Sequence, residues 1–423
     1  MIVGVIADDF TGATDVASML VRAGMRTVQV IGVPQGPLPR ADAVVIALKS
    51  RTCPVPEAVE MSLQALAAFQ AAGARQIYFK YCSTFDSTAQ GNIGPVTDAL
   101  MQALRAPITI ACPAFPENGR TVFRGHLFVG DVLLSDSSMR AHPLTPMHDA
   151  NLLRVLQPQT LQRVGLVPQP VVQQGPKAVE QALDQLRLQG IGIAVADAIG
   201  NQDLMTLAQA CADLPLVTAG SGLALGLGPA YAQRGWFAPS AQADGLNAAH
   251  GTAALISGSC SQATQAQLLH WQNSGRPTLR VDPLAVHEGR QTLDQLKRQA
   301  VALLGQGPVL VHATADSATV QATQNRLGVE PAGQLTERTL AALAQTLVEA
   351  GVRKLVVAGG ETSGAVTQAL GVRQLHIGAS ICPGVPWTEG LWNGQVIWLA
   401  LKSGNFGGPE FFTEALAQAG VAA

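Results

Sequence analysis

Short apolar runs rich in β-branched residues recur along nearly the whole chain, each followed by a turn and a helical stretch, and this alternation restricts the fold more than any other feature. The first series of strand candidates is Ile2–Ala7, Val28–Val33, Ala43–Ala47, Gln76–Lys80 and Ile108–Ala111, with helical patterns at Thr14–Ala23, Val55–Ala72 and Ile93–Arg105. Strands covered by helices on both faces are apolar throughout, whereas a half-solvated sheet alternates residue by residue. The pattern therefore predicts an α/β fold with mainly parallel, doubly wound sheets. Pro113–Pro158 breaks the alternation and is rich in Pro, Gly, Ser, Asp and His. A loop that long inside a compact domain is usually functional or disordered. Strands are expected again at Val171–Val172, Ile191–Ala196 and Leu216–Thr218, with helices at Lys177–Gln189, Gln202–Ala212 and Leu223–Arg234.

Between Trp236 and Gly251 the chain is Ala-rich with little periodicity, and residues 239–250 read as a linker. A second α/β series comes after it, at Ala253–Ser257, Thr278–Val281, Val309–His312, Lys354–Ala358, Gln374–Ile377 and Val396–Ala400. Two α/β domains are expected, residues 1–238 and 251–423, with a small-molecule cleft between them.

Composition narrows the function classes. Charged residues make up 13% of the chain and the net charge is −2, so there is no electrostatic footprint for a nucleic acid or an anionic membrane surface. The six cysteines stand singly, which fits free thiols in a reducing compartment. Asp8 and Asp9 interrupt any signal-peptide core, and no run reaches the length of a membrane span, so a cytoplasmic location is expected.

The polar clusters fall where strands end, the edge at which parallel sheets bind ligands. Asp8-Asp9-Phe10-Thr11-Gly12 comes directly after the first strand. Its carboxylates can accept a hydroxyl proton or hold a metal, or they can simply cap the next helix. Arg51 lies just past the third strand; it suits bidentate grip on a carboxylate, or is a solvated surface residue. Lys80-Tyr81-Cys82-Ser83-Thr84-Phe85-Asp86-Ser87-Thr88, with Gln90-Gly91-Asn92 after it, offers hydroxyls, a carboxylate and an amide to a polyhydroxylated ligand, although such residues also build ordinary turns.

In the second half, Ser257-Gly258-Ser259-Cys260-Ser261 and Gly359-Gly360-Glu361-Thr362-Ser363 are glycine-rich turns entering helices, where free N–H groups favour phosphate. Neither is a Walker A loop, and no complete Rossmann fingerprint, metalloprotease motif or nucleophile elbow is present.

These segments together resemble the four-carbon acid sugar kinase family, nearly end to end. The resemblance rests on Ile6–Asp15, Ser257–Ser261 and Gly359–Ser363. Lys80–Thr88, Gly91–Gly94, Asn118–Thr121, Gly125–Leu127 and His142–Met147 are similar to the branch acting on 3-oxo-tetronates, and the Lys-Ile-Asp-Ser-Thr-Leu-Arg type of stretch of the threonate-directed relatives is absent. Ala89-Gln90 stands where relatives are expected to carry a basic residue.

The resemblance implies an N-terminal acid-sugar-binding domain, a C-terminal ATP-binding domain, and phosphorylation of the C4 hydroxyl with Mg²⁺ accompanying ATP. On this reading Asp8 accepts the hydroxyl proton, with Asp9 and Asp86 as alternatives, and Arg51 takes the substrate carboxylate. Ser83, Thr84, Asp86 and Asn92 take the hydroxyls and keto group. Ser257, Ser259, Gly360, Glu361, Thr362, Ser363 and Gly404 hold ATP, and the metal ligand is left open. The expected partners are a small sugar acid and ATP, in a single chain or a homo-oligomer. A kinase for threonate, erythronate or a related hydroxy acid, and a non-catalytic sugar-acid or nucleotide sensor, are the competing readings.

Overall fold

The computed structural model describes residues 1–142 and 144–421; Pro143, inside the His142–Met147 stretch, and the last two residues of the expected second domain lie outside the described residues. The chain forms two compact units, Met1–Asp244 and Gly245 onward. Residues 245–250 have no regular element.

The first unit is built on β1 (Val3–Ala7), β2 (Thr27–Ile31), β3 (Ala43–Ala47), β4 (Gln76–Lys80) and β5 (Thr109–Cys112), with β6 (Arg120–Phe123), β7 (His126–Val129) and β8 (Val132–Leu133) forming a separate small sheet. The strands β9 (Arg163–Val167), β10 (Ile191–Ala196) and β11 (Leu216–Ala219) complete the main sheet in the order β2-β3-β1-β4-β11-β5-β10-β9. All its pairings are parallel. Every residue of β1, β3 and β4 is buried, as continuous apolar runs require when helices cover both faces.

The chain runs from β1 outward to β2, returns through β3 beside β1, then crosses to β4 on the other flank of β1. That reversal is a topological switch point, and it opens a crevice at the carboxyl ends of β1, β3 and β4.

In the second unit, β12 (Thr252–Ser257), β13 (Thr278–Arg280), β14 (Val309–His312), β15 (Val352–Ala358), β16 (Gln374–Cys382), β17 (Val385–Trp392) and β18 (Gln395–Lys402) are ordered β13-β14-β12-β15-β18-β17-β16. Here too β12 lies between strands reached in opposite directions, β14 and β15. Trp271, Trp387, Phe411 and Phe412 anchor a core on one side of this sheet.

Several boundaries differ from expectation for physical reasons. The first helix begins at Phe10, four residues before the apolar periodicity starts, because the Asp9 side chain accepts from the Gly12 N–H and caps it there. Val171–Val172 belongs to a helical turn, Gln169–Val172, started by Pro170 at its second position, and the strand is β9 just before it. The Pro113–Pro158 segment contains the β6–β7–β8 sheet. Its strands are too short for periodicity, and the β6–β7 turn depends on positive φ at Arg124 (51°) and Gly125 (73°). The second sheet is antiparallel at β16–β17–β18, a hairpin series whose middle strand starts Val-Pro-Trp and gives little strand signal.

Candidate functional site

In the first unit the sheet register lines up three strand ends. Ala7 of β1 pairs with Ala47 of β3 and with Lys80 of β4, so the loops beyond them emerge side by side. The Asp8 carbonyl accepts from the N–H groups of Ser50 (2.9 Å) and Arg51 (3.1 Å), which fixes the loop bearing the arginine against the loop bearing the aspartates. Asn92 holds the same loop from the other side: its amide nitrogen donates to the carbonyls of Ser50 (2.7 Å), Arg51 (3.2 Å) and Cys53 (2.9 Å).

Arg51 sits at the centre of a cluster of acids. Its Nε and Nη2 donate to the two oxygens of Asp8 at 2.9 and 2.8 Å, and Nη2 also reaches Asp9 Oδ1 at 2.5 Å. Its Nη1 lies 3.6 Å from Asp86. Lys80, 3% exposed at the end of β4, is 3.3 Å from Asp9. Three carboxylates thus face two cations, with a cavity of about 10 Å³ against Asp8, Ser50, Arg51 and Asp86, room for about one water.

Burial raises the Asp8 carboxyl above its ordinary value, and the neighbouring Asp9 charge adds to this, against the pull of Arg51. Burial acts the same way on Asp9, but Arg51, Lys80, the Gly12 N–H and the Thr11 hydroxyl outweigh it and hold that carboxyl well below the usual range. Burial opposes the charge on Lys80, yet Asp9 and Asp8 keep it a firm cation. Two adjacent carboxyls pushed apart in this way form a division between a fixed anion and a proton acceptor.

The expected site residues after β4 do come to this crevice, with altered occupations. The Thr84 hydroxyl donates to Asp86 Oδ1 at 2.6 Å and lies 2.9 Å from Cys82 Sγ, so Thr84 orients the acid. Ser83 is half-buried beside them. Phe85 between Thr84 and Asp86 is fully buried at φ 62°, a left-handed turn across which the two flanking side chains meet. Asn92 spends its amide nitrogen on the Arg51 loop, and Arg51 spends most of its fork on protein carboxylates. Neither occupation is visible in sequence, since each depends on a loop some forty residues away. Ala89 and Gln90 are exposed.

In the second unit the turns after β12 and β15 meet. A Cβ on Gly258 would lie 2.1 Å from Thr362 Oγ1, so only glycine lets the two turns close up. Gly359 has φ 119°, and its N–H donates to the Lys402 carbonyl at 2.9 Å, tying the turn to β18. Gly404 packs on the serine turn, and its carbonyl accepts from Ser261 (2.6 Å), Thr264 (2.9 Å) and the Lys402 ammonium (2.9 Å).

A cavity of about 260 Å³ opens beside these turns, lined by Gly258, Cys260, Glu361 and Thr362 together with Arg280, Asp282, Thr319 and Glu337. Among the expected residues, Glu361 and Thr362 line it, and Ser259 stands in the adjoining turn. Ser257 is fully buried and bonds Thr314 Oγ1 at 2.7 Å, and Ser363 is fully buried at the start of the helix Gly360–Ala369, so neither lines the cavity. Gly360 is exposed at the tip of the turn.

Sequence reasoning passed over Lys80, Arg280 and Lys402. The signal available for Lys80 and Lys402 was a lysine closing an otherwise apolar strand, where a cation is buried only for a purpose.

The residues 3–227 match the family model described as a sugar-binding N-terminal domain, and residues 254–412 match the one described as a nucleotide-binding C-terminal domain. The chain is 56% identical over 416 residues to the 3-oxo-tetronate kinase of Burkholderia multivorans, covering 98% of this chain and 96% of that protein. It is 54% identical to the 3-oxo-tetronate kinase of Cupriavidus necator, covering 99% and 97%. A crystal structure from Salmonella typhimurium superimposes with TM-score 0.87 at 45% identity, covering 98% of this chain and 99% of that one. Another from Haemophilus influenzae does so with TM-score 0.80 at 45% identity, covering 98% and 100%. Among the described residues, no helix is long and apolar enough to cross a membrane.

Proposed function

The chain belongs to the four-carbon acid sugar kinase family, in its 3-oxo-tetronate kinase branch, and from that premise we propose that it transfers the γ-phosphate of ATP to the C4 hydroxyl of a 3-oxo-tetronate. The observation that carries the reading is the Asp8–Arg51–Asp9 cluster at the switch point of the first unit: one buried carboxyl raised towards proton acceptance beside one held ionised.

Phosphoryl transfer depends mainly on positioning and charge neutralisation. Asp8 accepts the C4 hydroxyl proton as that oxygen bonds to the γ-phosphorus and the bond to the bridging oxygen of ADP breaks. Arg51 holds Asp8 in place through both of its carboxylate oxygens, and Asp9 keeps its charge on Lys80 and Arg51. Asp86, held by Thr84, faces the same arginine and is the second acid available to the substrate's hydroxyls.

The nucleotide is assigned to the cavity of the second unit, with the first N–H groups of the helix Gly360–Ala369 offered to its phosphates, since those of Gly258 and Ser259 are engaged by the Ala358 carbonyl. Mg²⁺ is bound in such sites by one or two carboxylates plus phosphate oxygens. Asp282, Glu337 and Glu361 line the cavity and offer such oxygens, and the ion would neutralise phosphate charge there.

A coupled ADP-release assay over 3-oxo-tetronates, threonate and erythronate, with mass spectrometry of the product, tests the reading. The expected product is a phosphorylated keto acid. Faster turnover of threonate would remove the substrate assignment, and binding without ADP release from any acid would remove the kinase assignment.

A further inference from the structure

The carboxylate of the acid needs a cation, and Arg51 is engaged by three protein carboxylates. A second set of buried polar groups, with Arg120 as its cation, surrounds Asp15, on which Lys80 also acts. Asp15 Oδ1, Ser221 Oγ and Arg120 Nε are all buried without a hydrogen-bond partner. Buried polar atoms are nearly always satisfied, so three such orphans call for an explanation. The Ser221 hydroxyl faces the Asp15 carboxyl, which burial pushes up to about 6 against the pull of Lys80 and, more weakly, of Arg120. Asp15 is 7% and Ser221 1% exposed.

The three residues come from separate elements that are tightly fixed to one another. Ser221 stands between glycines that let its loop approach the Pro113–Phe115 backbone. A Cβ on Gly220 would lie 2.7 Å from the Pro113 carbonyl oxygen, and one on Gly222 would lie 2.6 Å from that of Ala114. Phe115 in turn exchanges backbone hydrogen bonds with Arg120, at 2.8 and 3.1 Å. Arg22, two turns after Asp15 on the same face of the first helix, grips Glu117 at 2.8 and 3.1 Å just before Arg120. The Arg120 guanidinium is itself steadied by the Asn118 carbonyl.

One cation beside one carboxyl and one hydroxyl complements an α-hydroxy carboxylate. We infer that Arg120, Asp15 and Ser221 form the subsite for the acid end of the substrate, Arg120 taking the carboxylate and Asp15 with Ser221 the adjacent C2 hydroxyl. This rests on the sugar-acid kinase reading and deepens it: the acid end sits at Arg120 and the reacting hydroxyl at Asp8, and the charge of Lys80 acts on both Asp8 and Asp15.

The test uses the whole protein with two substrates: a 3-oxo-tetronate, and the neutral ketotetrose in which a hydroxymethyl group replaces the carboxylate. Arg120→Gln should raise the KM for the acid roughly 10- to 100-fold, the range of a lost hydrogen bond to a charged group. The ATP KM should stay nearly unchanged, and the preference for acid over neutral sugar should fall by a similar factor. Ser221→Ala, a smaller change within the loop, should raise the acid KM without touching that preference. An unchanged acid KM and an unchanged preference in Arg120→Gln would overturn the subsite. Calorimetric titration of the acid without ATP separates this from the kinase reading. Should the wild type release no ADP, loss of acid binding in Arg120→Gln would still support the subsite, and equal binding would overturn it.

Discussion

Asp8 and Asp9 are consecutive and share one arginine, yet they part in protonation because Asp9 also has Lys80, the Gly12 N–H and the Thr11 hydroxyl. Asp9 therefore serves as both helix cap and fixed anion, leaving Asp8 for the proton. Asp8→Asn is expected to lower kcat by about 10²–10⁴-fold, the usual contribution of a general base, with ATP affinity retained. Steady-state kinetics beside ATP titration read the two effects separately, and an unchanged kcat would transfer the role to Asp86. Arg51 has a structural as well as an electrostatic task. Removing it leaves the buried Asp8 carboxylate without its main partner, so Arg51→Ala should cost about 3–5 kcal/mol of stability. Adding Asp8→Asn should recover part of that loss. A urea double-mutant cycle measures the coupling, and strict additivity would mean that the pair carries no stabilising interaction.

Among the strands and helices, both candidate sites are made by the turns that leave the carboxyl end of a strand. β18 ends in Lys402, which is fully buried and donates to Thr264 Oγ1 and to the carbonyls of Ser403 and Gly404 at 2.9–3.1 Å. It stitches the end of the strand to the serine turn. Burial pushes its ammonium down to about 7 from the ordinary 10.5. The unfolded chain therefore holds a proton that the folded chain has released at pH values between these two. Stability contributed at this position is lost as pH falls from about 10 towards 7 and is level below that, with a slope of at most about 1.4 kcal/mol per pH unit. Lys402→Met removes this slope, so the stability difference between wild type and variant should shift in favour of the wild type from pH 7 to 9. Denaturant midpoints across that range check it, and a parallel pair of curves would show that Lys402 keeps its charge in the fold.

Across the molecule, each unit repeats one device, a sheet that is parallel around its first strand and whose strand order reverses there. The acids and Arg51 gather at one reversal, the glycine turns and the 260 Å³ cavity at the other. Binding of the two substrates should accordingly be separable by mutation. In Gly258→Ala the new Cβ would meet Thr362 Oγ1 at 2.1 Å and Leu340 Cδ1 at 3.1 Å, forcing the two turns apart. ATP affinity should fall about tenfold or more, as one lost phosphate contact implies, while the affinity for the sugar acid is kept. Calorimetry with each ligand alone tests this, and a loss of sugar-acid binding in Gly258→Ala would defeat the division of labour.

Local sequence patterns were enough for the parallel α/β class, most strand positions, and the polar residues that stand at strand ends. Those patterns are continuous apolar runs, helical periodicity, and glycine at turns that side chains would block. The family resemblance was legible for the same reason, since its motifs are those very turns. Strand order, and with it the switch points, came only with the folded chain, because pairing joins segments distant in sequence. So did the engagement of Arg51 by Asp8, Asp9 and Asp86, the inward turn of Ser257 and Ser363, and the meeting of Asp15, Arg120 and Ser221. The antiparallel β16–β17–β18 hairpins escaped notice because Pro386 and the short turns mask their periodicity. What a charged side chain does depends on the charges and the burial that the fold sets around it. Those are properties of the packed molecule, carried by no stretch of the chain alone.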